Sequence, residues 1–178
     1  MFILASKSPR RHELLKKLVP EFTIIVPDID EEISTSIPSD TAKITSKFKA
    51  YAIFQNYPDA TVLACDTIVV VDGELLGKPK DAADAKKMLR QLSGKKHHVI
   101  SGYTLIGPRR EVNRNVVTEV YFNELTDAVI DAYIKSGSPF DKAGAYGIQD
   151  EEFNLVKKIN GSYFNVMGLP VEDLAKFI

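Results

Sequence analysis

The run from Thr61 to Val71 constrains this chain more than any other stretch. Val62, Leu63, Ala64 and Cys65, then Ile68, Val69, Val70 and Val71, make it almost continuously apolar. An apolar run that does not alternate argues burial on both faces, as in the central strand of an α/β sheet. Asp66 interrupts it. A carboxylate in such a strand costs free energy unless it is paired, metal-bound or at a cleft. Asp66 is either a structural acid bonded to backbone amides or a functional one, and its isolation favours function.

Other segments supply neighbours for that strand. Phe2 to Ala5 reads as a buried strand, followed by a helix from Ser8 to about Leu18, with Pro9 at its first position and a face of Leu14, Leu15 and Leu18. Phe22 to Val26 reads as a short strand ended by Pro27. Pro38-Ser39-Asp40 opens a second helix with Ile44, Phe48, Tyr51 and Ala52 as its expected apolar face. Asp72-Gly73 is a hairpin signal leading back through Glu74 to Leu76. Asp81 caps a third helix, with Asp84 in a capping-box-like position, Ala85, Met88, Leu89 and Leu92 on its face and Gly94 at its end. Val99–Ile106 and Val116–Phe122 read as strands separated by a Gly107-Pro108 turn and a polar run. Thr126 caps a fourth helix that Gly137 stops, with a staple between Leu125 and Ile130. Phe153–Ile159 and Ser162–Met167 read as a hairpin across Asn160-Gly161, and Pro170 starts a last helix. The sum is a mixed α/β sheet protein, one domain over residues 1–178.

The totals narrow the function classes. A net charge of −1 gives no global reason to expect nucleic acid or an acidic membrane as partner. The single cysteine, Cys65, excludes an internal disulfide. No stretch approaches a membrane span, and the first apolar run is too short for a signal peptide, so a cytoplasmic protein is expected. His12, His97 and His98 with one cysteine make no zinc set; of His97 and His98, one is expected to face the core and one solvent. Neither a Walker A pattern nor Gly-x-Gly-x-x-Gly is present.

Four further stretches carry chemistry. In Leu4 to Leu15, Arg10 and Arg11 fall in a first helical turn, where the dipole favours anions over cations. With Ser6, Ser8 and free backbone N–H groups, they make either a surface helix with ordinary basic residues or, as the broken dipole rule favours, an anion site, most simply for phosphate. Asp28-Ile29-Asp30-Glu31-Glu32 is either a solvated loop or a source of hard oxygen ligands such as magnesium prefers. Gly77-Lys78-Pro79 places a lysine shortly after the Asp66 strand. Asp141-Lys142-Ala143-Gly144-Ala145-Tyr146-Gly147-Ile148-Gln149 is either a tight packed loop or a ligand loop, in which Lys142 reaches an anion and the Gln149 amide reads a base edge. Together these residues fit metal-assisted chemistry on a phosphorylated ligand.

The opening Ala5-Ser6-x-Ser8-Pro9-Arg10-Arg11 resembles the signature of the Maf family of nucleoside triphosphate pyrophosphatases. The resemblance continues in order through Asp30-Glu31, Lys49-Ala50, Asp66-Thr67-Ile68-Val69, Leu76-Gly77-Lys78-Pro79, Met88-Leu89 with Leu92-Ser93-Gly94, and His97-x-Val99. It ends with Asp141 to Gln149 and Asn165-Val166-x-Gly168-Leu169-Pro170. It implies a long mixed sheet flanked by helices, in two lobes with a central cleft, similar to inosine-triphosphate pyrophosphatases. The implied reaction is hydrolysis of a nucleoside triphosphate to monophosphate and pyrophosphate with a divalent cation, magnesium or manganese, by a homodimer. Carried onto this chain, Asp66 matches the general base and Ser6, Arg10, Arg11, Lys49 and Lys78 the phosphate site. Glu31, with Asp66, matches a metal-holding carboxylate. Arg10, Thr67 and Gln149 match the members that prefer dTTP and UTP.

Three positions depart from the usual pattern. Ser138 stands where Glu is common, Asp150 follows Gln149 where Gly is usual, and Ser101 replaces a frequent Thr. The first two flank the glycine loop and bear on the pocket rim, not on the reaction. Maf-like proteins are also associated with cell division and septum formation, so the alternative is a nucleotide-binding regulator without essential catalysis. It is told apart by its tolerance of Asp66→Asn.

Overall fold

In the computed structural model, which describes residues 1–29 and 37–178, the apolar run is one long strand inside a mixed sheet. The chain begins with β1 (Phe2–Leu4), α1 (Pro9–Leu15), β2 (Thr23–Ile24), α2 (Pro38–Phe54), β3 (Thr61–Val71) and β4 (Glu74–Leu76). It continues with α3 (Ala82–Leu92), β5 (Lys96–Gly107), β6 (Arg110–Phe122) and α4 (Asp127–Lys135). Short 3-10 turns between Ser138 and Phe153 lead to β7 (Val156–Asn160), α5 (Tyr163–Met167) and α6 (Val171–Leu174). The strand order is β2-β1-β3-β5-β6-β7, with β4 added to β3. β1 is parallel to β2 and β3; the remaining pairs are antiparallel.

The pairing of β3 creates the place for a site. β5 covers one edge of it from Val62 to Val70. On the other edge, β1 pairs with Thr61–Leu63 and β4 with Val69–Val71. Among the described residues, no strand fills the window between them, and Asp66 and Thr67 stand in it. The acid that interrupts the apolar run therefore sits where the sheet itself is interrupted.

Two apolar clusters give the molecule its lobes. One gathers Leu89, Val120, Phe122, Ile130 and Tyr133 from α3, β6 and α4. The other gathers Leu14, Leu15, Leu63, Leu105 and Leu174 from α1, β3, β5 and α6. The mixed sheet flanked by helices agrees with the expectation. Among the described residues, no helix is long and apolar enough to cross a membrane.

α2 reverses the face expected of it. Phe48 is 57% and Tyr51 41% exposed, while Thr41, Ala42, Thr45, Ser46, Lys49, Ala50 and Ile53 are buried. The cause is Gly102 on β5, directly opposite Asp66 in the ladder. A Cβ at Gly102 would lie 2.2 Å from the Ala42 carbonyl carbon and the Lys43 nitrogen. A helix whose backbone rests on a glycine must turn its small residues inward. Ser46 then meets Thr104 hydroxyl to hydroxyl at 2.9 Å, satisfying both.

Three boundaries also differ. The expected second strand of the last hairpin is instead α5: Ser162 caps it by accepting the Asn165 N–H at 3.0 Å. The Asn165 amide then donates to Val99 O, Val116 O and the Thr118 hydroxyl, which ties the helix to the sheet. The polar run after Gly107 belongs to β6, which pairs with β5 from Arg110 onward, because one face of an antiparallel hairpin can be wet. α1 is shorter than expected, ending at Leu15, and Ser8 makes no side-chain cap; its N–H is bonded to the Ser6 hydroxyl at 3.2 Å. Asp81 caps α3 as expected, accepting the Asp84 N–H at 2.8 Å, while the Asp84 carboxylate reaches back to the Lys80 N–H at 2.9 Å.

Candidate active site

A cleft of about 1220 Å³ opens at the window beside Asp66 and Thr67 and runs between the lobes. Asp66 forms an ion pair with Lys49, Nζ to Oδ1 at 3.1 Å, with the two side chains 20% and 6% exposed. α2 delivers Lys49 from above and β3 holds Asp66 from below, so neither depends on a loop. Glu31 lies outside the described residues. Among the described residues, no group of three His, Cys, Asp or Glu side chains could hold a metal.

The two arginines of α1 diverge. Arg11 turns inward, where its Nε donates to Gly168 O at 2.8 Å and its terminal nitrogens donate to Thr67 Oγ1 at 3.1 Å and Ser6 Oγ at 3.3 Å. Behind Thr67, its hydroxyl meets that of buried Ser101 at 2.9 Å. Arg10 reaches across the cleft to Asp141, with one bond to the carboxylate at 2.8 Å and one to the backbone oxygen at 3.2 Å. Burial pushes the Asp141 carboxyl up, but its hydrogen bonds to Lys142 and Arg10 outweigh that and hold it down at about 2.

The far end of the cleft is built from tight turns. Gly144 and Ala145 both have positive φ, +69° and +63°. A side chain at Gly144 would strike Val69, and one at Gly147 would come within 2.8 Å of the Lys142 chain. Lys142 donates to Ser138 O, Ser138 Oγ and Asp141. Gln149 lines the cleft with its Oε1 buried and, among the described residues, unpaired. Beneath the loop, His97 is fully buried and bonded to the Tyr146 hydroxyl at 2.7 Å. Burial, with a smaller effect from His98, lowers its pKa to about 3. His98, on the other face, is only half-buried, as the pair was expected to divide.

The family model for Maf-like proteins matches residues 1–178.

The chain belongs to the Maf family.

Among Maf relatives, it is 48% identical over 173 residues to the dTTP/UTP pyrophosphatase of Carboxydothermus hydrogenoformans, covering 96% of this chain and 93% of that one. It is 45% identical to the enzyme of the same name from Bacillus cytotoxicus, covering 98% and 92%. For Pyrococcus furiosus the figures are 44%, 99% and 93%. In fold, this Maf chain resembles the Ham1 protein of Staphylococcus aureus, with a TM-score of 0.55 at 18% identity over 99% of this chain and 96% of that one.

The Maf cleft brings together Ser6, Arg10, Arg11, Lys49, Asp66, Thr67, Lys78, Lys142 and Gln149. Every site residue expected from the sequence lines it, apart from Glu31 outside the described residues. Sequence reasoning gave no role to Asp141, which holds two of the cations, or to Gly168, whose carbonyl aims Arg11. It also missed His12, whose Nε2 is 2.8 Å from Ser6 O. A backbone acceptor has no signature in side-chain type; Asp141 could have been found as the one acid in a loop otherwise suited to anions.

Proposed function

We propose that this Maf protein hydrolyses dTTP and UTP to the monophosphate and pyrophosphate in the cytoplasm. The observation that carries the reading is the position of Asp66: a carboxylate in the window of β3, fixed through Oδ1 by Lys49, inside a cleft lined by Arg11, Lys78 and Lys142. The names of the close relatives support the substrate class.

The chemistry follows from the placement. Phosphoryl chemistry depends mainly on positioning and on stabilising charge. The cations offset the triphosphate's charge, with Arg11 held ready by Gly168, Ser6 and Thr67 rather than recruited on binding. Lys49 occupies Oδ1 of Asp66, and Oδ2 takes a proton from the attacking water. Water oxygen bonds to the α phosphorus, the α–β anhydride bond breaks, and pyrophosphate leaves. A magnesium or manganese ion fits this donor set, because magnesium commonly takes one or two carboxylates and completes its shell with substrate phosphates and water. Asp66 and Glu31 would hold it, and it would neutralise developing charge. At the other end, a buried amide oxygen without a partner costs about 1–3 kcal/mol. The N3–H of uracil or thymine would satisfy Gln149 Oε1.

The test is hydrolysis of a nucleotide panel with magnesium in ¹⁸O-labelled water. UTP and dTTP are expected to give pyrophosphate, with the label in the monophosphate. Orthophosphate as first product, or label in pyrophosphate, overturns the cleavage site. Binding without turnover returns the regulator reading.

A further inference from the structure

Asp150 does not line the cleft; it faces a smaller cavity of about 440 Å³ behind it. Yet the residues that shape the recognition end hang from its carboxylate. Oδ2 accepts the Tyr133 hydroxyl and the Ser138 hydroxyl, each at 2.6 Å. The Tyr133 oxygen accepts the Gly147 N–H at 2.9 Å. The Ser138 oxygen accepts Lys142 Nζ at 3.1 Å.

We propose that Asp150 is a positioning residue for nucleotide selection, acting through Tyr133 and Ser138 on Lys142 and the Gly147–Gln149 segment. This rests on the reading of the cleft as a pyrimidine nucleotide site. The reason is the direction of the hydrogen bonds. A carboxylate accepts and cannot donate, so both hydroxyls must point their protons at Asp150. Their lone pairs are then committed to Gly147 N–H and to Lys142. Hydroxyl bonds of this length to a carboxylate are charge-assisted and hold their geometry firmly. Tyr133 is fully buried and its hydroxyl has no water to turn to. Burial, then the Asp150 bond, pushes its phenol pKa up, so it remains a donor.

The two positions at which the loop departs from the usual family pattern, Ser138 and Asp150, thus meet in one hydrogen bond. One negative group serves the network, held at the Asp150 end. A carboxylate at both positions would set like charges in contact; none at either would leave the hydroxyls free to rotate.

The test compares Asp150→Asn, Asp150→Gly, Ser138→Glu and the double variant Ser138→Glu/Asp150→Gly. Each is assayed with UTP and CTP, and for binding of a non-hydrolysable UTP analogue. An amide at 150 can turn its NH₂ toward the hydroxyls and reverse the chain of donors. For Asp150→Asn, KM for UTP is expected to rise about tenfold with kcat within about twofold, and the UTP-over-CTP preference to fall about tenfold. Each single variant weakens UTP; the double, with its one carboxylate moved across the loop, is expected to return KM to within about threefold of wild type. Unchanged KM and unchanged preference in Asp150→Asn overturn the inference. So does a loss carried by kcat equally for both nucleotides alongside a lower Tm, which marks a merely structural acid. If Asp150→Gly does not fold, Ser138→Ala replaces it, with a KM rise of about threefold supporting the inference and no change opposing it. A wild type that binds the analogue without hydrolysing UTP refutes the proposed reaction, and the Kd series still decides the role of Asp150.

Discussion

At the proposed reactive end of the cleft, Lys49 and Asp66 meet at 3.1 Å with side chains 6% and 20% exposed. At the entrance, Arg10 and Asp141 meet at 2.8 Å, but the acid is 61% exposed. The shorter contact is the weaker one. Water screens an exposed pair down to about 0–1 kcal/mol, whereas shielded charges interact at a lower effective dielectric. The supports differ in the same sense. Lys49 and Asp66 stand on a helix and a central strand, while Asp141 stands in a 3-10 turn and is held by the cations it binds. One end is built in advance; the other can exchange a carboxylate for an anionic ligand.

Breaking the reactive end should have the largest consequence. Asp66→Asn is expected to lower kcat for UTP about 10²–10⁴-fold, the range for losing a general base. A fall of less than tenfold would mean the water is activated elsewhere. Next comes the contrast between the arginines. Arg11→Ala is expected to cost about 2–5 kcal/mol in kcat/KM, because its guanidinium is already aimed by three acceptors. Arg10→Ala should cost less, and equal losses would remove the distinction drawn between the two.

Acid probes the sheet beneath the glycine loop of residues 141–149. The folded His97 imidazole has a pKa near 3 against about 6.5 for an imidazole in the unfolded chain, so the unfolded chain binds the proton first. Stability is therefore retained above about 6.5 and lost as pH falls toward 3, by about 1.4 kcal/mol for each unit. Denaturant midpoints measured across that range check it, and a His97→Gln variant should lose this part of the slope. Because His97 supports Tyr146, acid should loosen that glycine loop ahead of β3. The smallest effect belongs to the entrance. Asp141→Asn should change stability by no more than about 1 kcal/mol, with the difference shrinking at high salt. A larger change would mean the pair is more than a surface clasp.

What the sequence determined by itself was local. The central strand, the helix caps at Asp81 and Thr126, and the hairpin at Asp72-Gly73 follow from apolar runs and short-range hydrogen bonding, and all are present. Asp66 could be singled out because the penalty for an acid in an apolar strand needs no knowledge of its neighbours. Lys49 and Thr67, by contrast, were legible only through the resemblance to the Maf family, because spacing alone does not set Lys49 apart from Lys43 and Lys47 on the same helix.

Only the tertiary structure decided which faces and which partners. α2 buries Lys49 and exposes Phe48 because a glycine fifty-odd residues later leaves room for its backbone, a fact no helical periodicity contains. Adjacent Arg10 and Arg11 part company because Asp141 lies on one side of α1 and Gly168 on the other. Ser138 and Asp150 pair because the 3-10 turns fold the loop back on itself. Backbone and side-chain preferences act over a few residues; close approach and electrostatic pairing act across space, and they exist only once the sheet has brought distant segments together.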